Sequence, residues 1–430
     1  MAETSASKLA KRIHTDGSTH YKGATAPASP VEGDLWYDTS ASALKSYNGS
    51  EFIKVSAAIP TLTSVTGGIY TNTASDLTLA GTNFLTSNLV VNFVQSSDAI
   101  DEDVTVTPTS DTAATVSVPA AVYNNVTNGN VVTIKVTNSD NVSSGTVNTT
   151  ALTLPTGGTI TTSGGYRIHT FNSSANFVNT YTITNMEYLI IAGGAGGGFD
   201  DGSGWAGGGG AGGYRNSTGS ETSGRNSSTE SKISSLGAGT HAVTVGAGGA
   251  GVTTGSASGT QGGAGGNSTF NSITSIGGGT GQNSLDSAGS NGGSGGGSNN
   301  GDSTTPNAGS GTSGQGFDGT NSTNASYATG GGGAGGTSAS AAVDGGVGLS
   351  SSITGSAVTR GGGGGGSFGG TDPGTHNGMA GGGGSASYNQ PSATAGGNGT
   401  ANTGGGGGGS ISGATSGNGG SGVVILRYQL

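Results

Sequence analysis

Apolar and polar positions alternate with period two along residues 59–155. Asp76-Leu77-Thr78-Leu79-Ala80, Val104-Thr105-Val106-Thr107, Thr115-Val116-Ser117-Val118 and residues 131–136 each place every second side chain on one face, as a half-buried strand does. Turn residues separate these runs at the spacing of an all-β sandwich, and the Thr and Val that dominate them suit a pleated surface. An immunoglobulin-like β-sandwich is therefore expected over 59–155. Upstream, Leu35-Trp36-Tyr37 and residues 44–47 form short apolar or aromatic runs, Asn48-Gly49 marks a hairpin turn, and residues 52–55 supply a closing strand. Two or three such strands cannot bury a core alone, so this N-terminal β-hairpin module, set at 26–56, needs a neighbour or copies of itself.

Beyond residue 160 the alternation gives way to glycine, which supplies about one residue in three from 193 onward. Strands still lead into the glycine runs: Tyr188-Leu189-Ile190-Ile191, His241-Ala242-Val243-Thr244-Val245, Ser272-Ile273-Thr274-Ser275-Ile276 and Ala357-Val358-Thr359-Arg360. The chain closes on Val423-Val424-Ile425-Leu426-Arg427-Tyr428, a continuous apolar run suited to a strand buried on both faces. Collagen is rejected, because it needs a strict Gly-X-Y period with abundant proline. Ordering glycine costs roughly 0.5–1 kcal/mol per residue beyond alanine, and side-chain burial cannot supply that here. The expected solution is a small β-framework with glycine-rich loops in polyglycine-II-like helices, three residues per turn with about 3.1 Å rise. Their backbone N–H and C=O groups would then satisfy one another in place of a hydrophobic core. The predicted fold class is all-β throughout.

Composition narrows the function. Hydrophobic residues make up 30 % and charged residues 8 % of 430, well below the roughly 45–50 % and 25 % of ordinary domains. The formal net charge of -10, with 13 Lys and Arg, argues against nucleic acid, which needs basic patches. With no cysteine, disulfides, Cys-based zinc sites and thiol nucleophiles are excluded. No apolar run is long enough for a membrane span, so no membrane insertion is expected, and the opening residues carry no apolar leader core. The N-terminal Lys8, Lys11, Arg12, His14 and Lys22 form a small basic cluster. It is either a solvated terminus or an arm, residues 1–25, that docks on a larger assembly.

Three resemblances sharpen this picture. Pro27, Pro30, Gly33, Asp34, Leu35, Trp36, Tyr37, Asp38, Asn48, Gly49 and Phe52 resemble a module of phage tail-fibre and virion structural proteins. Pro60, Leu79, Gly81, Thr82, Asn83 and Phe84 look like the start of an IPT/TIG-type immunoglobulin-like domain, its glycine-rich loop reduced to Gly67-Gly68. Residues 160–430 resemble the glycine-rich C-terminal domains of phage tail fibres and adhesins. Glu187 with the strand through Ile191, Gly209-Gly210-Ala211-Gly212-Gly213-Tyr214-Arg215, and Gly419-Gly420-Ser421-Gly422 leading into the last strand carry that likeness. It implies a non-enzymatic virion structural protein, a tail fibre or receptor-binding adhesin, located on the particle and assembled as a homotrimer. Its partners would be a host cell-surface receptor (a glycan or outer-membrane protein) and, through Lys8, Lys11 and Arg12, other virion proteins. A capsid decoration or head fibre is the alternative. A surface-polysaccharide depolymerase is a weaker one, since it needs paired carboxylates and acids are sparse in the third region.

Candidate chemistry is thin. GxGxxG matches arise by chance in so much glycine, and none opens a strand–turn–helix unit. His14, His20, His169, His241 and His376 are scattered without ligand spacing, and no cofactor or metal is expected. Asp101-Glu102-Asp103 and Asp200-Asp201-Gly202-Ser203-Gly204 are either solvated acids or oxygen ligands for calcium. Phe199, Trp205, Tyr214, Phe317, Tyr327, Phe368 and Tyr388 stand between glycine runs. Aromatics on rigid loops recognise sugars or protein surfaces at low entropic cost, which makes these seven the receptor-binding candidates. Plugging the ends of the glycine layer as a miniature core is the other role open to them.

Overall fold

The computed structural model describes residues 12–13, 19–40, 43–54, 59–85, 87–139, 141–200, 204–256, 260–283, 288–299, 307–323, 326–338, 343–371, 378–390 and 392–430. They form two compact units, Met1–Thr153 and Leu154–Leu430. The fold is all-β, with a single four-residue α-helix among the described residues.

The first unit opens with one sheet of five strands in sequence order: β1 (Arg12–Ile13), β2 (Thr19–Gly23), β3 (Leu35–Asp38), β4 (Ala43–Tyr47) and β5 (Phe52–Lys54). The hairpin between β4 and β5 forms where Asn48-Gly49 predicts it. The Asn48 carboxamide oxygen accepts from the Ser50 and Glu51 amides, and Gly49 takes φ +94°. Trp36 is buried on one face, its indole N–H donating to the Gly23 carbonyl at 3.0 Å and its ring meeting Phe52 edge-on at 5.3 Å. The opposite face leaves Tyr37 and Ile53 exposed. The hairpin module does not stand apart from an arm at residue 26. Strand β2 pairs in parallel with β3, His20 opposite Leu35, and parallel pairing across an intervening loop leaves no local turn signal. Of the residues assigned to virion attachment, Arg12 lies in β1 opposite His20, while Lys8 and Lys11 lie outside the described residues.

The sandwich follows: β6 (Thr61–Thr66), β7 (Ile69–Tyr70), β8 (Asp76–Thr82), β9 (Leu89–Gln95), β10 (Ile100–Val106), β11 (Ala113–Ser117), helix α1 (Ala120–Tyr123), β12 (Val131–Thr137) and β13 (Ser143–Leu152). One sheet has the order β10-β9-β12-β13-β7 and the other β11-β8-β6. Leu77, Leu79, Leu89, Val91, Phe93 and Ile134 are fully buried in the core. Simple alternation does not pick out β9, because its outward positions include Val90 and Val94. Its register opposite β10 and β12 leaves Leu89, Val91 and Phe93 as the inward set.

The second unit contains β14 (Thr159–Ser163), β15 (Tyr166–Phe171), β16 (Ala175–Asn179), β17 (Ile183–Ile191), β18 (Tyr214–Asn216), β19 (Ile233–Leu236), β20 (Gly239–Thr244), β21 (Ser268–Phe270), β22 (Ile273–Ser275), β23 (Leu349–Ser351), β24 (Val358–Arg360), β25 (Phe368–Thr371), β26 (Tyr388–Gln390) and β27 (Val423–Gln429). The main sheet runs β14-β15-β27-β17-β18, with β19 also on β17. The C-terminal strand is thus central, paired on both edges. Val424, Leu426 and Tyr428 meet Phe177, Val243 and Phe270 of the sheet β16-β20-β21-β22. Val423 and Ile425 face the other way, onto Ile168, Leu189, Ile191 and Tyr214. This strand is buried on both faces, as its unbroken apolar run implies.

Candidate functional site

Most of the second unit's chain lies outside these strands, in glycine runs that rise from the main sheet and return to it. The segment 206–213 shows how they hold together. Gly207, Gly210 and Gly213 donate their amides to Gln282, Gly279 and Ile276 at 2.8–2.9 Å. Gly208 and Ala211 donate to Thr329 and Gly332, and Gly209 and Gly212 to Gly407 and Gly404. On the acceptor side, the carbonyls of Gly207, Gly210 and Gly213 receive the amides of Gly198, Ala195 and Ala192. Those of Gly208 and Ala211 receive Gly297 and Ser294, and that of Gly209 receives Gly364. Partners repeat every third residue, so the segment is a polyglycine II helix bonded to six surrounding segments.

Only glycine permits this spacing at most positions. A Cβ on Gly207, Gly208, Gly209, Gly210 or Gly212 would fall on a carbonyl oxygen of a neighbouring helix: Gly297, Gly364, Ala195, Ser294 or Ala192 respectively. The two six-glycine runs each begin with a residue of positive φ, Gly361 at +74° and Gly404 at +68°, where the chain turns into the array. Serine closes both runs. The Ser367 hydroxyl accepts the Ala206 amide at 2.7 Å and the Ser410 hydroxyl accepts the Asp200 amide at 3.0 Å. Both serines are fully buried, completing hydrogen bonds where the helical register ends.

Beside the main sheet the charged side chains are paired. Glu187, 2 % exposed, bonds Lys232 at 2.8 Å and Arg427, whose Nε donates at 2.7 Å. Burial alone would raise this carboxyl, but the hydrogen bonds from Lys232 and Arg427 hold it below the ordinary range. Glu230 accepts from Arg215 (2.7 Å), the Tyr188 hydroxyl (2.8 Å) and the Ser223 hydroxyl (2.9 Å). His169 is fully buried between Phe177 and Tyr428, with Nδ1 2.8 Å from the Gly157 carbonyl. Desolvation brings its imidazole down to about 4.

The seven aromatics do not form one surface. Tyr214 is not in a loop: it begins β18, opposite Ile191, and is fully buried in the sheet-end core. Phe317 is half-buried under the Arg225 guanidinium, 5.5 Å from its ring centroid, and Arg225 is held by both carboxylate oxygens of Asp318 at 2.9 Å. The other five gather at the far ends of the glycine helices. Phe199 follows the segment 192–198 and Trp205 precedes 206–213, Phe199 buried and Trp205 half-buried with its indole against Gly369. Phe368 is buried with Val343 and Ala386, and half-buried Tyr327 and Tyr388 pack against it, the Phe368 and Tyr388 rings 6.0 Å apart. These three, with Val343 and Ala386, take the plugging role, forming a small apolar cluster beside the glycine layer. None of the seven is fully exposed.

The acidic runs are also separated. Asp101 and Asp103 share one face of β10, where the Asn92 carboxamide donates to both at 2.9 and 2.8 Å, and Glu102 lies on the other face. Asp200 is buried and accepts from the Gly204 amide, while Asp201, Gly202 and Ser203 lie outside the described residues. Among the described residues no group of three or more such side chains is placed to hold a metal ion. Sequence reasoning passed over the serines that close the glycine runs and the serine-rich segment 227–235. The first could have been suspected from a serine directly following each six-glycine run.

The profile of a glycine-rich domain family matches residues 169–429. No curated protein matches the chain. Among solved structures, the crystal structure of chicken CNTN1 FN1–FN3 domains is 13 % identical, covering 47 % of this chain and 67 % of that one, with a TM-score of 0.20. At that score the likeness carries no argument.

Proposed function

The chain belongs to the glycine-rich domain family, and from that premise we propose that it is a virion structural protein, a tail fibre or receptor-binding adhesin of a bacteriophage. The observation that carries this reading is the polyglycine II array. It is a close-packed, nearly charge-free scaffold of mutually hydrogen-bonded segments, with Tyr327, Phe368 and Tyr388 clustered beside it and Trp205 against Gly369. A scaffold that holds several loops fixed binds by shape and backbone hydrogen bonding, with little entropy lost on contact. No reactive group is called for, and the role is non-enzymatic.

The IPT/TIG-like sandwich acts as a spacer in this reading. The N-terminal five-stranded sheet, with Lys8, Lys11 and Arg12 nearby in sequence, attaches the protein to other virion components, and the assembly is a homotrimer. The partner at the loop end is a host-surface glycan or outer-membrane protein, and the protein resides on the virion. The test is adsorption. Fluorescently labelled full-length chain, applied to a panel of bacterial strains, should coat particular strains and block phage adsorption to those same strains. Coating of no strain, together with binding to purified capsids, would overturn the adhesin reading in favour of a capsid decoration fibre.

A further inference from the structure

An open groove of about 830 Å3 lies beside the main sheet of the second unit. One wall is the segment 227–232 continuing into β19. The other is the β21–β22 turn at Asn271 with residues 313–315. Arg215, Glu230 and Tyr188 line it, joined by the hydrogen bonds already described. Its volume falls within the roughly 300–1,000 Å3 of small-ligand sites.

Two features of the lining restrict what it could hold. First, each charge is already paired: Arg215 with Glu230, and Lys232 with Glu187. An anion would meet no uncommitted cation, and a cation no uncommitted carboxylate. Second, the remaining groups are neutral and polar. Ser228, Ser231, Ser234, Ser235 and Ser313 are exposed, as is Asn271. None of these six side chains has a hydrogen-bond partner among the described residues. Hydroxyls both donate and accept, and a carboxamide does each through a different atom. The complementary ligand carries many hydroxyls of equally mixed character and no charge. The part-exposed Ile273 would meet the C–H face of a sugar ring.

We propose that this groove is a binding site for a short neutral glycan. The site is separate from the aromatic loop end of the glycine array, and it holds whether or not that end binds a receptor. Binding exchanges ordered water on the serines for ligand hydroxyls, so each contact is weak and selectivity comes from their number.

The experiment uses the full chain on an array of neutral, uronic-acid-containing and sulfated oligosaccharides, followed by calorimetry with the best neutral ligand. Three separate variants, Ser231→Trp, Ser234→Trp and Ser313→Trp, then fill the groove from both walls at exposed positions, and only variants with a wild-type unfolding midpoint are scored. The expected result is binding of neutral oligosaccharides, weakened at least tenfold by a folded variant from either wall. Binding confined to acidic glycans, no neutral glycan bound, or wild-type affinity in the folded variants would overturn the proposal. Capture of an extended peptide along β19 in place of a glycan would do the same. Neutral-glycan binding by a chain that coats no strain would count against the adhesin reading alone.

Discussion

At the level of single residues, glycine has two unlike jobs here. Gly209 sits in a helix with neighbours on every side, and a Cβ would be driven into the Ala195 carbonyl. Backbone atoms cannot swing aside as a side-chain end can, so Gly209→Ala should cost about 3 kcal/mol or more. Gly237 has ordinary φ and open space where its Cβ would stand, so Gly237→Ala should be neutral or slightly stabilising through the unfolded chain. Urea unfolding of both variants checks the contrast, and equal midpoints would contradict the close-packed array. His169 supplies a pH response. Its folded value of about 4 lies below the ordinary 6.5, so the unfolded chain binds a proton more readily than the folded one between these values. The stability it contributes is fully present above about pH 6.5 and is lost as pH falls toward 4, roughly 3 kcal/mol in all. Thermal unfolding across that range should show the decline in wild type and a flatter profile in His169→Gln.

At the level of elements, β27 ties the second unit together. It pairs with both β15 and β17 and presents apolar side chains to two cores, so its central place comes from a pairing 240 residues apart in sequence, Arg427 with Glu187. That pair also anchors charge. Removing the guanidinium leaves the buried Glu187 carboxylate with Lys232 and the Gly219 amide, and breaking a buried pair is costly because the surviving charge stays desolvated. Arg427→Met should therefore destabilise the unit by roughly 3 kcal/mol, read as a lower urea midpoint with an unchanged slope. A shift within error would mean that Lys232 and the Gly219 amide suffice.

Across the whole molecule, stability comes from two different sources. The sandwich hides aliphatic side chains in the ordinary way, whereas the glycine array hides backbone amides bonded between segments distant in sequence. Hydrogen exchange separates these cases. Amides of 206–213, 361–366 and 404–409 should be protected to the level of the main sheet, although none of them belongs to an α-helix or a sheet ladder. Exchange at unstructured rates in those runs would dissolve the array. Calorimetry should also return a heat-capacity change per residue below the common 12–15 cal/mol/K, since exposing polar backbone lowers this quantity while exposing apolar surface raises it.

Much of this was legible along the chain. Period-two alternation identified β8, β10, β11 and β12, Asn48-Gly49 identified a hairpin, and the unbroken apolar run at 423–428 identified a strand covered on both sides. Glycine runs lacking the collagen period pointed to threefold helices bonded to one another. These features are local: periodicity and turn chemistry act over a few residues, and a sequence displays them directly. The partners of each glycine helix, the parallel pairing of β2 with β3, the central place of β27, the burial of Tyr214 and Phe368, and the meeting of 227–235 with 313–315 are not local. An aromatic between glycines looks the same whether it faces water or closes a layer, and five serines look like a loop until a fold sets them along one groove. Only the tertiary structure decides these, because they depend on which distant segments share a neighbour, and repeated glycine carries no side-chain label to say which.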